Sequence, residues 1–245
     1  MSQPHVIAIA HRGASLLAPE NTIAAFEEAL RLGCRAIEFD VRVTSDGVLV
    51  VVHDDTVDRT TNGHGSVRNL TQLDLMRLDA GSWLHPRYAG TRIPTLEEAL
   101  RCILPHATPV LELKAAVDPE QLISMLQRHG AIDESLVISF SPEHLIPLRK
   151  KSRDLPLGLL AEHWTDDLPQ RCRGLDAGVL VLSSEELSSG RVMAGEKAGL
   201  EVWCYTVNDI GMVAACAALG VRGIITDKPD LIREKAASDP VQARA

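Results

Sequence analysis

The sequence predicts an α/β fold, a (β/α)8 barrel with a small insertion after the β-hairpin that follows strand 2, and three observations carry the prediction. Eight short apolar runs alternate with helical patterns along the chain, the rhythm of βα units around a parallel sheet. The runs are near-continuously apolar, as strands covered on both faces must be. At 245 residues, the chain is long enough for eight such units in one domain.

The first run, 6–10, ends in His11-Arg12-Gly13. Asn21 or Thr22 can then cap a helix whose Ile23, Phe26 and Leu30 share one face, and Gly33 ends it. The second run, 36–40, continues to residue 43 and reaches a ninth run, 48–52, after only "TSDG". A parallel crossover needs about a dozen residues or more, so 48–52 must fold back antiparallel through the Asp46-Gly47 turn. That return brings His53 to the level of Asp40. Residues 54–94 are polar and contain glycine, with at most one short helix over 72–78. Leu70, Leu73, Leu75, Leu78 and Trp83 give this insertion apolar material with which to dock on the loop face, inside one domain spanning 1–245.

Thr95 and Glu98 form a capping box, and Asp118 caps a helix behind Pro119. Between them and beyond lie the runs 109–114, 136–140, 157–160, 179–182, 201–207 and 223–226. Ser141-Pro142 starts a helix that Pro147 should kink or shorten. Residues 164–173 supply the next helix, Ser183 with Glu186 the one after, and Asn208 or Asp209 and then Pro229 the last two. The tail "SDPVQARA" is expected to fray.

A hydrophobic content of 45% is ample for a sizeable core. The net charge of −8 excludes a general nucleic-acid binder, which needs a basic field to meet phosphates. Cys34, Cys102, Cys172, Cys204 and Cys216 are scattered and lack metal-like pairing, so they are expected as reduced packing residues. No cationic leader and no apolar stretch of bilayer length is present, so the protein is expected in the cytoplasm without stable membrane association.

Active sites of such barrels lie at the carboxyl ends of the strands. Those ends carry His11 and Arg12, then Glu38 and Asp40, then Glu112 and Lys114, while the hairpin returns His53. Residues two apart on a strand point the same way, so Glu38, Asp40 and Glu112 converge. Buried, unpaired carboxylates are costly, and a divalent cation is the usual remedy. All-oxygen ligation favours Mg²⁺, Ca²⁺ or Mn²⁺ over zinc. Any one of these pairs alone would most often be structural; together on one rim they point to chemistry.

The stretches "AHRGASLLAPENT", "IEFDVRVTSDGVLVVVHDDTVDRTTNGHG", "ELK", "WCYTVN" and "GIITDKP", in this order and spacing, resemble the glycerophosphodiester phosphodiesterase family, and "LDAGSW" its short cytosolic bacterial enzymes. The resemblance implies a (β/α)8 TIM barrel with an insertion after the second histidine. It implies His11 and His53 as an acid–base pair and Glu38, Asp40 and Glu112 as ligands of one divalent cation. Arg12 and Lys114 would be phosphate ligands. The substrates would be glycerophosphodiesters such as glycerophosphocholine or glycerophosphoethanolamine, giving glycerol 3-phosphate and an alcohol. Phe140, Trp203 and Tyr205 lie near strand ends and read first as core, with Trp203 or Phe140 as the alternative wall of the pocket against the glycerol carbons. Glu20 reads as a helix-start charge, with support of the site as the alternative; Asp227 reads as a capping residue, in a region where barrels often bind phosphate; His64, His85, His106, His129, His144 and His163 read as solvated. The rival readings are a lysophospholipase D or phosphoinositide-type lipase of the same barrel superfamily, and a catalytically silent metal- and phosphate-binding protein. Whether the chain forms a homodimer stays open.

Overall fold

Each of the nine apolar runs forms a strand. In the computed structural model, which describes residues 6–230, the elements follow in the order β1 (Ile7–His11), α1 (Ile23–Arg31), β2 (Ala36–Val43), β3 (Leu49–Val51), α2 (Gln72–Leu75), α3 (Leu96–Ile103), β4 (Thr108–Leu113), α4 (Pro119–Arg128), β5 (Leu136–Ser139), α5 (Pro142–Lys151), β6 (Leu157–Ala161), α6 (Leu168–Gly174), β7 (Val179–Ser183), α7 (Ser189–Lys197), β8 (Glu201–Tyr205), α8 (Ile210–Ala218) and β9 (Gly223–Thr226). The helix expected after Pro229 and the C-terminal tail lie outside the described residues.

Strands β1, β2, β4, β5, β6, β7, β8 and β9 pair in parallel around a ring that closes where β9 and β2 both pair with β1. The fold is a TIM barrel. Strand β3 pairs antiparallel with β2, Val41 opposite Val51, and the Val52 amide donates to the Asp40 carbonyl at 3.0 Å. The hairpin thus returns the chain to the level of Asp40, as the short turn requires.

Two apolar layers hold the barrel. Inside it pack Ile9, Val110, Ile138, Val181, Trp203 and Ile225. Between strands and helices lies a larger layer that includes Phe26, Phe39, Leu100, Leu111 and Leu180, all fully buried. A Cβ on Gly223 would fall 2.5 Å from the Trp203 ring, so the glycine on the neighbouring strand admits the indole to the barrel interior. The insertion has its own small core of Val57, Val67, Leu75, Ala80 and Ile93 against Val50 and Val52. Leu75 is buried there, whereas Leu73 and Trp83 stay 59% and 39% exposed. Helix α2 is a single turn, shorter than the expected 72–78.

Capping chemistry sets most helix starts. Thr22, not Asn21, caps α1; Thr95 and Glu98 close a capping box on α3; Asp118 accepts from the Glu120 amide and Asp209 from the Met212 amide. Two helices depart from expectation. Helix α5 runs through Pro147, because buried Leu145 and Leu148 anchor it on either side against one missing hydrogen bond. After β7, residues 184–186 make only a 3-10 turn, and α7 is capped by Ser188, whose hydroxyl accepts from the Arg191 amide.

Candidate active site

Register places the charged residues. His11 stands opposite Glu38 on β2, and Asp40 opposite Glu112 on β4. Glu38 and Asp40 are two apart, so both face the barrel axis. One oxygen from each of Glu38, Asp40 and Glu112 lies within 4.8 Å of the others, and all three residues are buried. Glu38 Oε1, Asp40 Oδ1 and Glu112 Oε1 are sealed from solvent without a well-directed hydrogen bond. Burial and the neighbouring Asp40 charge push the Glu38 carboxyl up to about 8, and the same two causes raise Glu112. Burial would raise Asp40 too, but Lys114 and Arg12 outweigh it and hold Asp40 below the ordinary range. Three buried carboxylates with oxygens this close form an all-oxygen donor set that fits one hard divalent cation.

Two side-chain cations flank the cluster. Arg12 follows β1 with φ at +56°, a left-handed conformation uncommon outside glycine. This turn directs its amide to Glu38 Oε2 at 3.1 Å, while its guanidinium donates to Glu20 Oε1 at 2.8 Å and stands 3.3 Å from Asp40 Oδ2. Gly13 allows the turn, since a Cβ there would lie 2.7 Å from Ala25. Lys114 Nζ lies 2.6 Å from Glu112 Oε1 and 3.2 Å from Asp40 Oδ1.

Each histidine leans on a carboxylate. His11 Nδ1 is 2.6 Å from Asp227 Oδ1, and Asp227 is fixed in turn by Asn208 Nδ2 at 2.6 Å and Ser15 Oγ at 3.2 Å. Burial would lower the His11 pKa, but the Asp227 bond and the Glu38 charge raise it above 6.5. Burial acts against the Asp227 charge as well, yet the His11 bond brings its carboxyl down to about 2. His53 Nδ1 is 2.6 Å from Asp54 Oδ1. For His53 burial prevails, and the pKa falls below the ordinary value. Arg59 of the insertion donates to Asp54 at 2.7 Å and to both oxygens of Glu20 at 2.8 Å. A continuous chain of charges therefore runs from His53 through Asp54, Arg59 and Glu20 to Arg12.

His11, Arg12, Glu38, His53, Glu112 and Lys114 line one cavity of about 220 Å³. Its apolar wall includes Phe140 and Tyr205, whose rings meet edge to face at 5.8 Å. Trp203, weighed for that wall, is not part of it. It packs one layer deeper in the barrel, with its indole Nε1 donating to Glu201 at the start of β8. The reason is the two-residue period: the next inward residue on β8, Tyr205, is the one at the carboxyl rim.

Asn21, Asp54 and Arg59 were not read from the sequence as parts of the site, and Glu20 and Asp227, weighed there, were read as helix-start residues instead. Asp227 holds His11, and Asn21, at φ +58°, grips Asp40 twice, through Nδ2 to Oδ2 at 2.7 Å and Oδ1 to the amide at 3.2 Å. The available signals were weak: "TDKP" ending a strand, and a second carboxylate in "HDD". His144 and His129 also depart from the solvated reading. His144 Nδ1 lies 3.1 Å from Ser139 Oγ, and the His129 side chain is 18% exposed, with Nε2 3.7 Å from Glu97.

A sequence profile of the glycerophosphoryl diester phosphodiesterase family matches residues 11–231. A glycerophosphodiester phosphodiesterase of Caldanaerobacter subterraneus is 36% identical, over 92% of this chain and 96% of its own. Another, from Bacillus subtilis, is 33% identical, over 96% of this chain and 87% of its own. Among solved structures, a phosphodiesterase of Oleispira antarctica in complex with the product sn-glycerol 3-phosphate superposes with a TM-score of 0.91 at 30% identity, covering 95% of this chain and 97% of that one.

Proposed function

The chain belongs to the glycerophosphoryl diester phosphodiesterase family, and from that premise we propose that it hydrolyses glycerophosphodiesters such as glycerophosphocholine to sn-glycerol 3-phosphate and an alcohol, with His11 and His53 as the acid–base pair. The observation that carries the reading is that two carboxylate-braced imidazoles share one cavity with two cations and with Glu38 and Glu112 of a buried trio of acids.

Glu38, Asp40 and Glu112 would hold one divalent cation, Mg²⁺, Ca²⁺ or Mn²⁺. Such an ion supplies Lewis-acid neutralisation of phosphate charge when bound. Arg12 offers a planar fork suited to phosphate oxygens, and Lys114 a point charge. With Nδ1 of each histidine committed to a carboxylate, Nε2 is the nitrogen left to face substrate. His11 takes the proton of the nucleophile as its bond to phosphorus forms. His53 gives a proton to the departing alkoxide as the ester bond breaks. The nucleophile is either water or the glycerol 2-hydroxyl, the second already tethered to the phosphate. A substrate without that hydroxyl separates the two: full-rate turnover excludes the cyclic route. Phe140 and Tyr205 would face the glycerol carbons.

The test is release of glycerol 3-phosphate from glycerophosphocholine by the purified chain, abolished by EDTA and restored by adding Mg²⁺, Mn²⁺ or Ca²⁺. Lysophosphatidylcholine run alongside separates the lipase reading, which gains if it alone is cleaved. His11→Ala and His53→Ala should each lower kcat by about 10²–10⁴-fold. Hydrolysis undiminished in both variants would sink the acid–base assignment.

A further inference from the structure

A second cavity, of about 370 Å³, adjoins the first, and Lys114 lines both. Its volume falls in the range of about 300–1,000 Å³ usual for small-ligand sites. The other charged walls are Arg42 at the end of β2 and, from the insertion, Asp55 and Arg68. Three cations against one carboxylate make this a positive patch on a chain of net charge −8. The cations are not equivalent. Lys114 is engaged by Asp40 and Glu112, and Arg42 by Asp55. Arg68 is exposed and makes no ion pair among the described residues, so its charge is available to a ligand.

The cavity is also tied to His53. Arg42, only 14% exposed, donates through Nε to the His53 carbonyl at 2.8 Å. If His53 protonates the departing alkoxide, the alcohol leaves on this side. Resting on that reading, we propose that this cavity is the leaving-alcohol subsite, and that Arg68 together with Lys114 selects glycerophosphodiesters whose alcohol carries an anionic, phosphorylated group. The insertion then serves specificity: it contributes Arg68 from a short turn at Val67–Asn69, while the barrel strands supply the reacting groups.

The experiment compares a matched pair, glycerophosphoinositol and glycerophosphoinositol 4-phosphate, which differ only in a phosphate on the alcohol, with glycerophosphocholine as the reference substrate. The wild-type chain should show kcat/KM higher for the phosphorylated member by about tenfold, the size of one charge-assisted contact. That preference should shrink as salt is raised. Arg68→Glu should abolish or invert it, and Arg68→Lys, which keeps the charge but not the fork, should restore part of it. Arg128→Glu, at the opposite end of α4, makes the same change in net charge and should leave the ratio alone. Melting curves check that each variant is folded, and the salt dependence of the wild-type ratio needs no variant. A wild-type ratio of one, or a preference that survives Arg68→Glu, overturns the subsite. Failure of wild type to cleave even glycerophosphocholine instead overturns the phosphodiesterase reading, and the subsite falls with it.

Discussion

At His11, the bond from Nδ1 to Asp227 leaves Nε2 as the ring nitrogen not committed to a carboxylate. The same bond couples the pair to stability. Asp227 ionises at about 2 in the fold against an ordinary 3.8, so its contribution is full above 3.8 and is lost as pH falls towards 2. His11 is raised above 6.5, so its contribution is full below 6.5 and is lost as pH rises through the folded value. The Tm difference between wild type and Asp227→Asn should therefore be largest between about pH 4 and 6.5 and narrow on both sides, as melts across pH would show. A difference flat across pH would mean that the pair contributes no charge-dependent stability. None of this pairing was legible in advance, because the partners stand 216 residues apart in sequence. The histidine could be read from its place at the end of an apolar run; its carboxylate could not, since a strand-end Asp before Lys-Pro looks like any helix start.

Among the elements, the capping residues were the most readable, because their hydrogen bonds close within three residues. Thr95 accepts from the Glu98 amide while Glu98 returns to the Thr95 amide at 2.8 Å. Thr95→Ala should cost about 0.5–2 kcal/mol in urea unfolding; an unchanged midpoint would show that packing alone holds α3. At α1 the local signal was ambiguous between Asn21 and Thr22. Tertiary demand resolved it: Asn21 is drawn onto Asp40, which leaves the cap to Thr22. After β7 the capping pattern at Ser183 misled for a related reason, since Glu186 turns instead to Arg191 and the Trp164 amide.

Over the whole molecule, the barrel spends stability to hold three acids together. One oxygen from each lies within 4.8 Å of the others, and holding carboxylates that close where water is excluded raises the pKa of Glu38 and Glu112 even with Lys114 and Arg12 beside them. Without metal, Glu38→Gln should raise Tm above about pH 4.5, and most above about pH 8, because it removes the cost of protonating that carboxyl on folding at nearly constant shape. Adding Mg²⁺, Mn²⁺ or Ca²⁺ should stabilise wild type, by about 2.7 kcal/mol at a hundredfold excess over Kd, and the variant far less. Calorimetry with and without EDTA checks both signs; a wild-type Tm indifferent to cations would remove the case for a bound ion. Among the described residues no helix is long and apolar enough to cross a membrane.

By itself the sequence determined the alternation of strands and helices, the antiparallel return that places His53, and the five acidic and imidazole groups at the strand ends. Those follow from periodicity and chain reach, which act over a few residues. Only the tertiary structure decided which carboxylate braces each imidazole, that Arg59 and Glu20 join the insertion to Arg12, and that Tyr205 and Phe140 rather than Trp203 face the cavity. These outcomes depend on ring closure and strand register, which bring together residues far apart along the chain and which no local pattern encodes.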